Sequence, residues 1–324
     1  MATGGLSGVL TFDKPGGCTS HDVVVRVRRT LRTRSVGHAG TLDPMATGVL
    51  VVLVGEATKL ATWLTAHDKT YEATVALGIE TDTLDADGRE VRREPMSAEL
   101  QTALSQPSGI APVAPIFERA LESEKQRTSQ LPPAYSAIQT AGERAYAMAR
   151  RGDVPDLAAR PVRVLGLDLA SWTEEPASCS LSLEVTKGYY VRSLARDLAA
   201  ALGTVGHLTR LRRLRSGPFA LDAALPVGAS ADTMRSRLEP LASAAARALP
   251  VARLTPSGIV DARHGRRVHP SAIAGPPSGP CAWLDAAGAL VAIGEIEEDG
   301  GGRVVRGFAA TSPEIPCEPL AEMP

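Results

Sequence analysis

A mixed α/β protein with a smaller β-rich unit at its C-terminal end is the fold class the sequence predicts, and three observations predict it. Short apolar runs of strand character, at 8–13, 49–54, 71–77 and 181–186, alternate with stretches of helical character at 20–33, 97–105 and 193–202. After Pro250 the chain changes to short strand-like runs separated by Gly/Pro turns. With 324 residues, 44% hydrophobic and 22% charged, it has the balance of a soluble globular protein and room for two domains.

Taken in order, residues 8–13 (GVLTFD) read as a strand ending in the turn KPGG. Thr19 or Ser20 caps a helix running to about Thr33, with Val23, Val27 and Leu31 on one face. Residues 49–54 (VLVVLV) form a buried strand, and 71–77 and 181–186 alternate as half-buried strands do. Residues 97–105 read as a helix. From 106 to 133 the chain turns Pro/Ser-rich and charged, which predicts an exposed insertion or mobile loop. Residues 141–151 suggest a short helix with a basic end, and 193–202 (SLARDLAAAL) a helix stopped by Gly203. Residues 229–249 read as closing helices. The expected organisation is a catalytic domain over 1–249, a small β-rich domain over 250–310 and a disordered tail over 311–324.

Net charge is −1, which argues against a generic nucleic-acid binder. The distribution is uneven. Residues 21–34 carry Arg26, Arg28, Arg29, Arg32 and Arg34 against Asp22 alone; 187–215 carry seven cations against Asp197 alone. Two such runs suit phosphate contacts, and arginine suits bidentate ones. Four cysteines without metal-ligand spacing and no apolar run of membrane-spanning length predict a reduced, cytoplasmic protein. At 4% aromatic, the chain has no broad stacking platform, so each tyrosine in a site counts for more.

Residues 37–50 read GHAGTLDPMATGVL. Asp43 sits in a turn between a Gly-rich approach and the apolar strand. Pro44 biases Asp43 toward extended backbone, and Gly37 and Gly40 permit close approach or positive φ. Taken alone, TLDP is an ordinary turn with a solvated carboxylate. The whole segment, however, resembles the catalytic loop of the TruB family of tRNA pseudouridine synthases. DKPGGCTS at 13–20, GEATKL at 55–60, DKTYEATVALG at 68–78 and TDTLDADG at 81–88 follow in the family's order. The blocks at 132–152, 187–198 and 208–219 complete a resemblance over roughly the first three-quarters of the chain. More weakly, 254–268, 282–294 and 303–308 resemble the small PUA-type RNA-binding barrel.

The resemblance implies the pseudouridine synthase fold, with a mixed central sheet, flanking helices and a PUA-like β-barrel. It implies conversion of uridine to pseudouridine in the T-loop of tRNA, conventionally at position 55, by a standalone monomer without protein partner, membrane or cofactor. Asp43 matches the catalytic carboxylate and Arg192 the arginine that pairs with it, which should favour its ionised form. Tyr71 matches the tyrosine that stacks on the target base, and Tyr190 a pocket tyrosine. His38 matches a histidine that packs into the RNA, Lys14 a lysine near the pocket and Leu211 a pocket leucine. Tyr189 stands where Thr or Phe is more usual, and Gln139 where Lys is. The basic run 210–215 would track phosphates.

Two motifs read differently on closer inspection. Consecutive Ser20, His21 and Asp22 cannot converge as a nucleophilic triad. Residues 83–94 mimic part of a calcium loop, but with Thr first and strand-like flanks they read as a hairpin turn. Two rivals remain: a non-catalytic RNA-binding protein on the same scaffold, and a nucleoside hydrolase, which would want a second carboxylate.

Overall fold

The computed structural model describes residues 5–108, 113–136, 138–140, 142–153, 155–276 and 278–309. Its centre is a ten-stranded mixed sheet. The main path runs Val164–Thr173, Ser178–Val185, Lys69–Leu77, Gly206–Ser216, Thr47–Val54, Gly8–Lys14, Leu225–Pro226. Neighbours are antiparallel except for Gly206–Ser216 against Thr47–Val54 and Gly8–Lys14 against Leu225–Pro226.

The apolar run at 47–54 explains the layering. Every residue from Gly48 to Val54 is buried, because both faces of this strand are covered. Leu50, Val52 and Val54 point into the main core with Val23, Val27, Leu194 and Leu198. Val49, Val51 and Leu53 point to the other face, against Ala244, Ala245, Leu284, Ile293 and Phe308. The helices Ser20–Leu31, Pro115–Lys125 and Val191–Ala201 therefore cover one side. The Leu241–Ala248 helix and the C-terminal sheet cover the other.

Local chemistry sets the helix ends. Thr19 caps Ser20–Leu31 in a reciprocal capping box with Asp22, and Arg32 closes it at φ 54°. Ser97 caps Ala98–Ser105. The closing segment forms two short helices, Ala231–Ser236 and Leu241–Ala248, and the basic-ended one is Ala145–Arg150. Strands Ile79–Thr81 and Glu90–Arg93 pair as the hairpin expected around residue 85.

Three expectations need correction. The 106–133 segment is not an exposed loop throughout. Pro115 opens a helix at its first turn, where a missing N–H is no loss. That helix buries Ile116, Phe117, Ala120 and Leu121 on one face, with the Phe117 ring 5.6 Å from Trp172. Nor is 210–215 a free basic face, since it lies within the central sheet. There Arg213 is buried, Arg212 pairs with Asp13 and Arg215 with Glu184.

The third concerns the C-terminal unit. It is a five-stranded sheet ordered Ile273–Ala274, Val251–Leu254, Gly279–Leu284, Leu290–Ile296, Gly302–Gly307, with a core around Trp283. No closed barrel forms among the described residues. The first strand of the path is two residues long, and only an isolated bridge, Val268 to Gly302, links the sheet's last strand back toward it. The tail expected to be disordered, 311–324, lies outside the described residues. No described helix is long and apolar enough to cross a membrane.

Candidate active site

Asp43 occupies the turn between the strands Val36–Ala39 and Thr47–Val54, and the backbone around it is pinned from several directions. The buried Ser20 hydroxyl accepts from Leu42 N (2.9 Å) and donates to Leu42 O (3.1 Å). Pro44 O accepts from Gly17 N (2.9 Å) and from Lys14 Nζ (3.1 Å). Arg213 donates to Gly40 O (2.9 Å) and Val49 O (2.7 Å), tying both arms of the turn to the central sheet. Gly48, at φ +99°, permits this closeness: a Cβ there would lie 2.2 Å from Arg213 O. Of the two glycines singled out by sequence, Gly40 takes positive φ (+85°), while Gly37 lies in ordinary strand.

Over this turn stands Arg192, from the first turn of the Val191–Ala201 helix and only 6% exposed. Its Nη2 donates to Asp43 Oδ1 at 3.0 Å, and its Nε lies 2.9 Å from Asp43 Oδ2. The rest of the guanidinium is occupied by Thr83 O and Tyr135 O, both at 3.0 Å, and by Asp85 Oδ2 at 3.5 Å. This planar fork, filled on every side, fixes the direction of the Asp43 carboxylate.

Asp43 keeps 31% of its side chain open, toward a cleft of about 1120 Å³. Its pKa is raised above the ordinary aspartate value of 3.8. Burial is the main cause; Arg192 opposes it and Asp85 adds to it. Arg192 thus acts in the expected sense, favouring the ionised form, but burial and Asp85 outweigh it.

Asp85 was not singled out by sequence as a site residue. It is nearly fully buried, accepts from Thr83 Oγ1 (2.6 Å) and Asp87 N (3.1 Å), and so holds the hairpin end against Arg192. A signal existed in the block TDTLDADG, but alternating acids beside a glycine look like a solvated turn. Removing its charge in Asp85→Asn removes an influence that raises the Asp43 pKa. The acid limb of the pH–rate profile should therefore move to lower pH, measured as initial rate between pH 4 and 8.

Tyr71, Tyr190 and Leu211 join Asp43 and Arg192 in lining the cleft. Tyr71 projects from the Lys69–Leu77 strand, in register with Arg213 and Leu183 on its two neighbours. Burial pushes the Tyr190 phenol up, so its hydroxyl stays a donor at neutral pH. Lys69, also missed by sequence, is buried at the cleft. Its Nζ donates to the Thr65 and His67 carbonyls, and burial with Arg213 lowers its pKa to about 8.

Lys14 and His38 are not among the cleft-lining residues. Lys14 is fully buried and donates to Pro15 O (2.9 Å), Cys18 O (2.7 Å) and Pro44 O (3.1 Å). It is a fastener beneath the Asp43 turn, and its three donors leave nothing for a ligand. Lys14→Met takes a donor from three carbonyls, Cys18 O among them, and should lower stability by about 2–3 kcal/mol in urea unfolding. His38 sits on the edge strand Val36–Ala39, where burial lowers its pKa and keeps the imidazole neutral.

Comparison with known proteins gives the family. The family model "TruB family pseudouridylate synthase (N terminal domain)" matches residues 28–191, and "tRNA pseudouridylate synthase B C-terminal domain" matches 192–241. A tRNA pseudouridine synthase B from Arthrobacter sp. (strain FB24) is 44% identical over 299 residues, 89% of this chain and 92% of that one. Its counterpart from Thermobifida fusca (strain YX) is 43% identical over 277 residues, 83% of this chain and 89% of that one. Among solved structures, one from a Cbf5-Nop10-Gar1 complex shares the fold at TM-score 0.67 and 24% identity, covering 93% of this chain and 84% of that one. The family models and the curated relatives thus define an enzyme of the pseudouridine synthase class. Within that class, this chain belongs to the TruB family of pseudouridylate synthases.

Proposed function

We propose that this protein isomerises uridine to pseudouridine in the T-loop of tRNA, at the conventional position 55, with Asp43 as its catalytic carboxylate. The observation that carries the reading is the two-point ion pair of Arg192 with Asp43 at the wall of a cleft large enough for a nucleotide. The curated relatives, named tRNA pseudouridine synthase B, support the tRNA substrate.

The chemistry follows from what the site holds. The N1–C1′ bond breaks, the uracil turns, C5 bonds to C1′, the C5 proton leaves to solvent and N1 gains one. Atoms and electrons balance within one nucleotide, so the reaction requires no cofactor. One carboxylate suffices because the leaving base is also the returning nucleophile; a glycosidase needs a second to activate water. Asp43 either adds to the sugar or takes a proton from it, and Arg192 holds it aimed at that position. A base inside a folded loop must first be flipped out. Tyr71, Tyr190 and Leu211 then form the walls around it. Arg150, Arg160 and Lys187, which also line the cleft, face the phosphates. His38, on the edge strand leading into the Asp43 turn, meets RNA beside the cleft. Lys14 serves by holding the turn. The C-terminal sheet over 250–310, with the PUA-like role its sequence suggests, extends the RNA contact.

The enzyme acts alone, as a monomer in the cytoplasm. The purified protein, given only unmodified tRNA transcript labelled with tritium at uridine C5, should release tritium from the T-loop uridine. Binding of tRNA without release would favour a non-catalytic RNA-binding protein. Free uracil would mean hydrolysis.

A further inference from the structure

The turn that presents Tyr190 and Arg192 is gripped from outside the cleft by residues 124–131. Gln130, 2% exposed, uses its side-chain amide like a strand edge: Nε2 donates to Tyr190 O (3.1 Å) and Oε1 accepts from Tyr190 N (2.8 Å). Leu131 O accepts from Ser193 Oγ (2.9 Å) and Arg196 Nη2 (3.2 Å). Glu124, also 2% exposed, accepts from the Tyr189 hydroxyl at 2.6 Å and from Arg127 Nε at 2.7 Å. Arg127 reaches on to Asp197 at 3.3 Å, on the same helix as Arg192.

A buried carboxylate is expensive to desolvate, and an apolar pair would fill the same space at no such cost. The charge therefore adds direction more than stability. Direction is needed here, because the Val191–Ala201 helix has no side-chain cap at Tyr190 to set its entry. Burial and the adjacent Glu124 push the Tyr189 phenol up, so it stays protonated and keeps donating. Tyr189 also forms part of the cleft wall, two residues before the helix that carries Arg192.

We infer that Glu124 and Tyr189 are positioning residues: their hydrogen bond fixes the 188–190 turn and so sets where Tyr190 and Arg192 stand over Asp43. The inference rests on the proposed uridine isomerisation and adds to it a support lying outside the cleft. Small displacements of a catalytic group cost large factors in rate, so the bond should be visible in the chemical step.

The test is single-turnover tritium release with enzyme in saturating excess over labelled tRNA. That rate constant does not depend on the folded fraction, which a merely structural role would change. Tyr189→Phe, which removes one oxygen, should slow the step roughly tenfold while the Kd for tRNA stays within about twofold. Glu124→Met, which takes away the acceptor oxygen, should slow it several-fold, and the double variant no further than Tyr189→Phe alone, because both remove one contact. Should Glu124→Met fail to fold, Glu124→Leu, another apolar replacement, carries the same expectation. Parent-like rate constants in both single variants overturn the inference. So does a slow Tyr189→Phe beside a parent-like Glu124→Met, which would mean that the hydroxyl acts on the RNA directly. A parent protein that releases no tritium defeats the proposed function instead, a result separate from either.

Discussion

Asp43→Asn should release tritium from C5-labelled tRNA at least about 10³-fold more slowly than the parent, while binding the same tRNA with unchanged Kd. The amide keeps the shape of the carboxylate and an oxygen for Arg192, so the turn held by Ser20, Lys14 and Arg213 should survive. In the proposed reaction the lost group is the anion that meets the sugar. Asp85, beside it in the cleft, does not replace it, because its carboxylate is directed to Arg192 and to its own hairpin. Equal loss of rate and binding would mean that Asp43 holds RNA rather than transforms it. Undiminished release would remove it from the chemistry altogether. Parallel filter-binding and tritium assays on one preparation separate these results.

Arg192→Met should be the second most damaging change, and in more than one way. Two carbonyls and two carboxylates lose their shared partner. Breaking a buried pair by removing one member costs about 3–5 kcal/mol, so the urea midpoint should fall clearly. The rate should fall at least about 10²-fold, because Asp43 loses its orientation. The pH profile gives the sharper test. Activity needs ionised Asp43 and therefore rises with pH through its pKa. Arg192 is what holds that pKa down against burial and Asp85. Its removal should move the acid limb to higher pH, the opposite of Asp85→Asn. Shifts of the same sign in the two variants would refute the electrostatic account of this site. Arg192→Lys should not rescue, since a point charge cannot hold Asp43, Asp85, Thr83 O and Tyr135 O together.

Reading the sequence located the residues that line the cleft better than those that support it. Asp43, Tyr71, Tyr190, Arg192 and Leu211 come from four separate blocks and line one cleft. Lys14 was placed near the pocket by resemblance, yet its burial and three carbonyl partners make it part of the scaffold. Arg212, Arg213 and Arg215 look like a phosphate-tracking face because sequence registers charge and not depth. In the sheet they are ion-paired or sunk among backbone carbonyls. Glu124 had no signal, because in a charged, Pro/Ser-rich stretch a buried acid reads like its solvated neighbours.

What the sequence determined by itself was local and periodic. The run at 49–54 reads as a buried strand. Thr19 or Ser20 could start a helix, and Gly203 could end one. The spacing around Asp43 placed a carboxylate in a turn beside a rigid strand. Tertiary structure alone decided which charges meet. Arg192 lies 149 residues from Asp43 along the chain and 109 from Thr83. The pKa direction of Asp43 depends on burial and on partners from separate elements, none of which periodicity encodes. Nor could the chain's own pattern close the C-terminal sheet, because closure depends on the pairing of distant edges. Local backbone preference acts over a few residues, whereas desolvation and ion pairing act through space; the first is written along the chain, and the second exists only once it has folded.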